Sequence, residues 1–206
     1  MTNTLLNTTH YDVLNTIALK KMANAQAIAD ASGVPLNETL DAVATLETQG
    51  LAATIGAQTL PTDDAVPALV ATSAVRYAAL RTDPAVLEMA TKFEVVNGLF
   101  LVAISSWQQV EVAGRKITND HQDSEYDSKV LGRLEKLVAR LVQLITVLSD
   151  RESRFGRYAV RFTRANKLVD AGELEFVSSP TLESVHNIWF EFHEDLLRTL
   201  GRERSE

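Results

Sequence analysis

At 206 residues, with 46% hydrophobic and 23% charged residues, the chain has room for one large domain or two small ones around a real core. It contains no cysteine, which excludes disulfides, thiolate metal sites and cysteine nucleophiles. A net charge of −7 and a pI near 5.2 argue against a nucleic-acid binder overall, so any such role would rest on a local basic patch.

Residues 1–9 are rich in threonine and asparagine without periodicity and are expected to be loose. The first twenty residues lack the basic start and apolar core of a signal peptide. A first helix is expected over 11–22, with Val13, Leu14, Ile17 and Ala18 facing inward.

The clearest local pattern follows at 24–51. Ala27, Ile28 and Ala31 make one apolar stripe and Leu40, Val43, Ala44 and Leu46 make the next. Gly33 stands where the first of these helices must stop, Pro35 cannot continue it, Asn37 is placed to cap the second, and Gly50 ends it. Residues 51–60 alternate weakly around Gly56, as two strands around a turn would. This spacing resembles the winged helix-turn-helix of transcription regulators, and Leu60-Pro61-Thr62 resembles the Leu-Thr-Pro that follows the wing in them.

A helix is expected over 67–81. Asp83-Pro84 opens a longer one reaching 112 and ending at Gly114, with Leu87, Ala90, Val95, Leu99, Val102, Ile104 and Trp107 around it. Its apolar run of ten residues, 95–104, contains Asn97 and Gly98 and is too short to span a membrane. Residues 114–123 read as a loop. Ser124 with Asp127 resembles a capping box for a helix to 149 carrying Val130, Leu134, Leu137, Leu141, Leu144 and Leu148. Further helices are expected over 153–171, stopping at Gly172, and from Ser179-Pro180 to Gly201. The fold class expected is mainly α: a winged helix-turn-helix domain with a small β-wing at 10–81, then a four-helix-bundle-like domain at 83–204. Apart from the wing the chain is expected to be all helical.

Charge decides how the first domain is read. A DNA-reading helix needs lysine and arginine on phosphates. Between residues 23 and 75 there is neither, against six carboxylates at Asp30, Glu38, Asp41, Glu47, Asp63 and Asp64. Lys20 and Lys21 are the nearest bases. If DNA were bound after all, the contacts would come from Lys20, Lys21, Asn37, Thr39, Thr45 and Gln49, with Thr48 also within the second helix. A dimer could then bring basic surface from elsewhere.

A second resemblance rests on Phe93-Glu94, Asn97, Trp107-Gln108, Asn119-Asp120, Tyr126-Asp127, Tyr158, Arg161, the run from Ser184 to Leu196, and Leu200-Gly201-Arg202-Glu203-Arg204. The chain is similar to a family of uncharacterised actinobacterial proteins in which a winged helix precedes a helical domain with a Trp-Phe-Glu and His-Glu-Asp signature. Related segments resemble those beside phosphoenolpyruvate-utilising, pyruvate phosphate dikinase-like proteins. The resemblance implies a regulator-like role and carries no activity.

In the last helix Leu182, Val185, Trp189, Phe192, Leu196 and Leu200 form the expected core face, and His186, Phe190, His193 and Leu197 a neighbouring stripe. The two histidines are about 10 Å apart by helical rise, too far for one metal ion. One of them could join Asp120, His121, Asp127 or Glu191 around an ion, or be satisfied by buried partners. Trp107, Gln108, Asn119, Asp120, Tyr126, Asp127, Arg161, His186, Glu191 and His193 are the candidates for a polar network or a small-molecule pocket between helices. No nucleophile motif or phosphate loop is present. No catalytic residue, cofactor or metal site is therefore assigned, and Glu191, Glu194 and Asp195 are not read as catalytic acids. Arg202, Glu203, Arg204 and Glu206 read as a solvated tail.

The expectation is a cytoplasmic, non-enzymatic regulatory or accessory protein, a homodimer through its long helices, acting through protein contacts and without a membrane segment. The alternative is a ligand-responsive winged-helix regulator binding DNA as a homodimer. A third reading, an accessory to a phosphotransfer enzyme, rests on the family resemblance alone.

Overall fold

The computed structural model describes residues 5–112 and 114–203. These residues are mainly helical and divide into two compact units. One runs up to Asp83 and takes in the chain again from Trp189; the other is Pro84–Ile188.

In the first unit, α1 (Thr8–Lys20) starts earlier than its apolar pattern suggests, because the Asn7 side chain accepts from the His10 amide and fixes the first turn. Tyr11, Val13, Leu14 and Ile17 are fully buried, and Ala18 half-buried. Asn24 caps α2 (Ala25–Ser32) in the same way, and Gly33 ends it at φ +73°. Helix α3 (Leu36–Thr48) follows. Pro35 takes the position before it, so Asn37 lies inside the first turn and is not the cap expected of it.

The buried face of α3 is Thr39, Ala42, Val43 and Leu46, whereas Leu40 and Ala44, expected inward, are exposed. Strands β1 (Ala52–Ile55) and β2 (Gln58–Pro61) pair antiparallel around Gly56 at φ +64°. Ala23 and Thr59 exchange both backbone hydrogen bonds, at 3.1 and 2.9 Å, and tie the α1–α2 connection to this hairpin. Helix α4 (Ala65–Arg76) is shorter than expected, its continuation breaking into a 3-10 turn at Leu80–Thr82.

In the second unit α5 (Pro84–Gln108) stops before 112, and the chain turns into a second hairpin, β3 (Gln109–Val112) with β4 (Arg115–Thr118). The expectation of an all-helical second half is corrected here. Val110, Val112 and Ile117 are β-branched, and Gly114 supplies the turn at φ +76°.

Helix α6 (Ser124–Ser149) is capped by Asp123, whose carboxylate accepts from the Glu125 and Tyr126 amides; the Ser124–Asp127 box is not formed. Its buried stripe is Val130, Leu134, Val138, Leu141, Ile145 and Leu148, so Leu137 and Leu144 fall at the edge, half-buried. α6 packs on α5 and on α7 (Gly156–Asp170). A short α8 (Glu175–Ser178) was not legible in the sequence.

Ser179-Pro180 does not open the last helix. The Ser179 carbonyl accepts from Ser184 Oγ and Asn187 Nδ2, and α9 (Val185–Leu200) starts after that turn. From Trp189 onward α9 groups with the first unit. Arg204 and Glu206 of the expected tail lie outside the described residues. Among the described residues no helix is long and apolar enough to cross a membrane.

Candidate functional site

Two polar constellations stand out, one in each unit. In the second unit, the end of α5, the strand β4 and the first turn of α6 bring together Trp107, Asn119, His121, Tyr126 and Asp127. Asn119 Nδ2 donates to the Trp107 carbonyl at 3.1 Å and to Asp127 Oδ1 at 2.8 Å, and the Gln108 carbonyl receives the Asn119 amide at 3.0 Å. His121 Nδ1 lies 2.9 Å from Asp127 Oδ2. The carboxylate oxygen accepts in this arrangement, so Nδ1 carries a proton and donates it to Asp127. The imidazole lies over Trp107, ring centroids 4.3 Å apart, and His121 adopts φ +57°, a left-handed conformation held by these bonds. Tyr126 Oη donates to the Ser106 carbonyl at 2.9 Å.

A buried carboxylate orienting an imidazole has the geometry of a general base held in one tautomer. Among the described residues no serine, threonine or lysine is bonded to the ring, and the Nδ1 proton goes to Asp127, which also holds Asn119. The constellation therefore locks the hairpin to α6.

The sequence candidates do not all meet there. Asp120 is exposed and accepts from the Gln122 amide; the Gln108 side chain is exposed. Arg161 forms a two-pronged pair with Glu183, at 2.9 and 3.2 Å, with its guanidinium 5.4 Å from the Tyr158 ring centroid. His186, half-buried, sits 6.3 Å from the Phe100 ring centroid. Burial, which disfavours the charged imidazolium, pushes its pKa below the ordinary 6.5. A cavity of about 360 Å³ lies between α6 and α7, lined by Leu131, Leu134, Asn166 and Val169 among others; none of the predicted candidates lines it.

The second constellation, in the first unit, was largely missed. Asn15 on α1 is fully buried and donates through Nδ2 to Asp195 Oδ1 at 2.9 Å, while its Oδ1 accepts from Arg198. Lys20 Nζ pairs with Glu191 at 3.1 Å. Arg76 reaches Asp12 at 3.4 Å with its guanidinium 5.1 Å from both the Tyr11 and Tyr77 ring centroids. Ser73 donates to the Arg198 carbonyl, and Arg81 Nε to the Thr199 carbonyl. The seam pins the second half of α9 against α1 and α4. The one sequence signal for it is that Asp12, Asn15 and Thr16 interrupt the apolar face of α1. His193 is also buried, at 7% exposure.

The seam changes the standing of the DNA-contact set. Lys20 is held by Glu191, and Lys21 lies 5.9 Å from the Phe190 ring centroid. Thr39 is fully buried, donating to the Val34 carbonyl, and Thr45 donates to the Asp41 carbonyl; Asn37 and Gln49 stay exposed. Among the described residues no group of three His, Asp or Glu is arranged around a metal position.

The chain matches no protein-family model, and no curated protein and no solved structure matches it.

Proposed function

We propose that the chain is a non-enzymatic regulatory or accessory protein that acts through protein contacts, with a winged helix-turn-helix in its first unit whose second helix does not read DNA. The winged-helix reading is supported by the order α1–α2–α3–β1–β2 and by the isolated Ala23–Thr59 bridge, which pairs the α1–α2 connection with the hairpin.

One observation carries the functional reading. The solvent face of α3, the face a DNA reader presents to the major groove, offers Leu36 at 39% and Leu40 at 52% exposure beside the exposed Glu38, Asp41 and Glu47. Phosphate repels that face, and a polypeptide can bury its leucines. Self-association of the chain belongs to the same reading. It is supported by Val95, Leu99 and Val102, exposed at steps of four and three along α5.

Anisotropy of a labelled mixed-sequence duplex tests this. At low salt, and at protein concentrations where nonspecific DNA binding of about 10⁻⁴–10⁻⁶ M is visible, α3 contributes nothing, and Asn37→Ala/Gln49→Ala leaves the titration unchanged. Salt-sensitive binding that this double variant abolishes would make the chain a DNA-binding regulator instead.

A further inference from the structure

The net charge of −7 conceals a strong polarity. Residues 129–167 hold ten of the chain's 20 lysines and arginines and three of its 27 aspartates and glutamates, so this stretch is +7 and the remainder −14. Lys129, Arg133, Lys136 and Arg140 step by four, three and four along α6, on one side of the helix, and all four are exposed. Tyr126 begins the same row. It also lines, with Leu101 and Val102 of α5, a groove of about 450 Å³. The basic row therefore starts beside the exposed α5 stripe of Val102, Leu99 and Val95, and the second unit presents basic and aliphatic surface together.

That combination selects among partners. Nucleic acid would use the bases and leave the valines and leucine uncovered. A polypeptide bearing carboxylates around apolar anchors uses both, and the α3 face of this same chain has that composition: Leu36 and Leu40 among Glu38, Asp41 and Glu47. A symmetric contact of the α5–α6 face with itself would set two basic rows together, which opposes binding. We propose that the α5–α6 face of one copy takes the α3 face of a second copy, head to tail. The inference rests on the reading that α3 serves protein contact. In such a heterologous contact each copy keeps one face of each kind open, so the assembly grows with concentration until a ring closes.

Sedimentation velocity of the full chain, at low and high salt and over a wide concentration range, reads this. The wild type associates at low salt and dissociates as salt rises. Arg133→Glu/Lys136→Glu abolishes association, and so does Glu38→Lys/Asp41→Lys. These positions are exposed, and thermal unfolding of each variant confirms that the fold is kept. Mixing the two variants restores assembly, since the intact α3 face of one meets the intact α5–α6 face of the other and the two reversed faces are complementary in turn. Combining all four substitutions in one chain restores assembly.

A wild type that stays monomeric overturns the inference. A dimer indifferent to both reversals also overturns it, while leaving α3 free for another protein. Duplex binding lost with Arg133→Glu/Lys136→Glu, without self-association, would make the α6 row a phosphate surface and overturn it too.

Discussion

Arg81 closes over Gly201. Its guanidinium donates to the Thr199 carbonyl at 3.0 Å and to Ser73 Oγ at 3.1 Å, and a Cβ built on Gly201 would stand 2.8 Å from Arg81 Cζ. Gly201 is also at φ +65°, where an L side chain is strained. Gly201→Ala thus costs about 1–2 kcal/mol in backbone strain, and more if Arg81 must release its acceptors. Urea unfolding would show a lowered midpoint, and a variant as stable as wild type would mean that the guanidinium shifts freely.

Asn15 and Asp195 lie 180 residues apart in sequence and share a buried hydrogen bond. Asp195→Leu leaves the Asn15 amide without its acceptor and destabilises the chain by about 1–3 kcal/mol. The double variant Asn15→Leu/Asp195→Leu costs less than the sum of the two singles, with a coupling of about 0.5–3 kcal/mol in a double-mutant cycle. Additive losses would show that the pair contributes no mutual energy.

Asp127 accepts from two donors at once, Asn119 Nδ2 and His121 Nδ1. In Asp127→Asn the new amide meets one of those donors with its own NH₂ group. A loss of about 1–3 kcal/mol is expected. Because His121 stacks on Trp107, the fluorescence of that indole changes as well. Unchanged stability and emission would argue that the carboxylate is replaceable by shape alone.

His186 makes stability depend on pH. Its folded pKa lies below the ordinary 6.5 because burial penalises the cation. The unfolded chain therefore binds a proton that the folded chain refuses. The contribution is whole above pH 6.5 and is lost as pH falls from there towards the folded value. His186→Gln removes this component: the difference in unfolding free energy between variant and wild type changes as pH drops below 6.5, in the variant's favour. A difference constant with pH would contradict the burial argument.

Local features of the fold were legible, and long-range ones were not. Gly33, Gly50 and Gly56 mark turns that the structure places at positive φ, because that requirement is written in single residues. The stripe of α6 was readable to within one position, its leucines at 137 and 144 giving way to Val138 and Ile145.

The β3–β4 hairpin was lost because its valines continue the apolar run of α5, and Gly114 reads equally as a helix end or a hairpin turn. Of the candidate site residues, Asn119, Tyr126 and Asp127 do meet at the end of α5 beside Trp107, because all lie close in sequence to the hairpin's two ends. Arg161 was assigned near them but pairs with Glu183. The seam of Asn15, Asp195 and Arg198 could not be read, since neither period nor spacing links α1 to the end of α9.

The return of the chain from Trp189 to the first unit has a consequence for biosynthesis. As the polypeptide leaves the ribosome, residues up to Asp83 emerge more than a hundred residues ahead of the partners of Asn15, Lys20 and Arg81. Until then those polar groups sit on an unfinished surface, and the second unit, contiguous at 84–188, can fold before the first is complete. Translation halted ahead of Trp189 would leave Asn15, Ser73 and Arg81 without the α9 partners that satisfy them, so the first unit cannot close its polar seam until the second has been made.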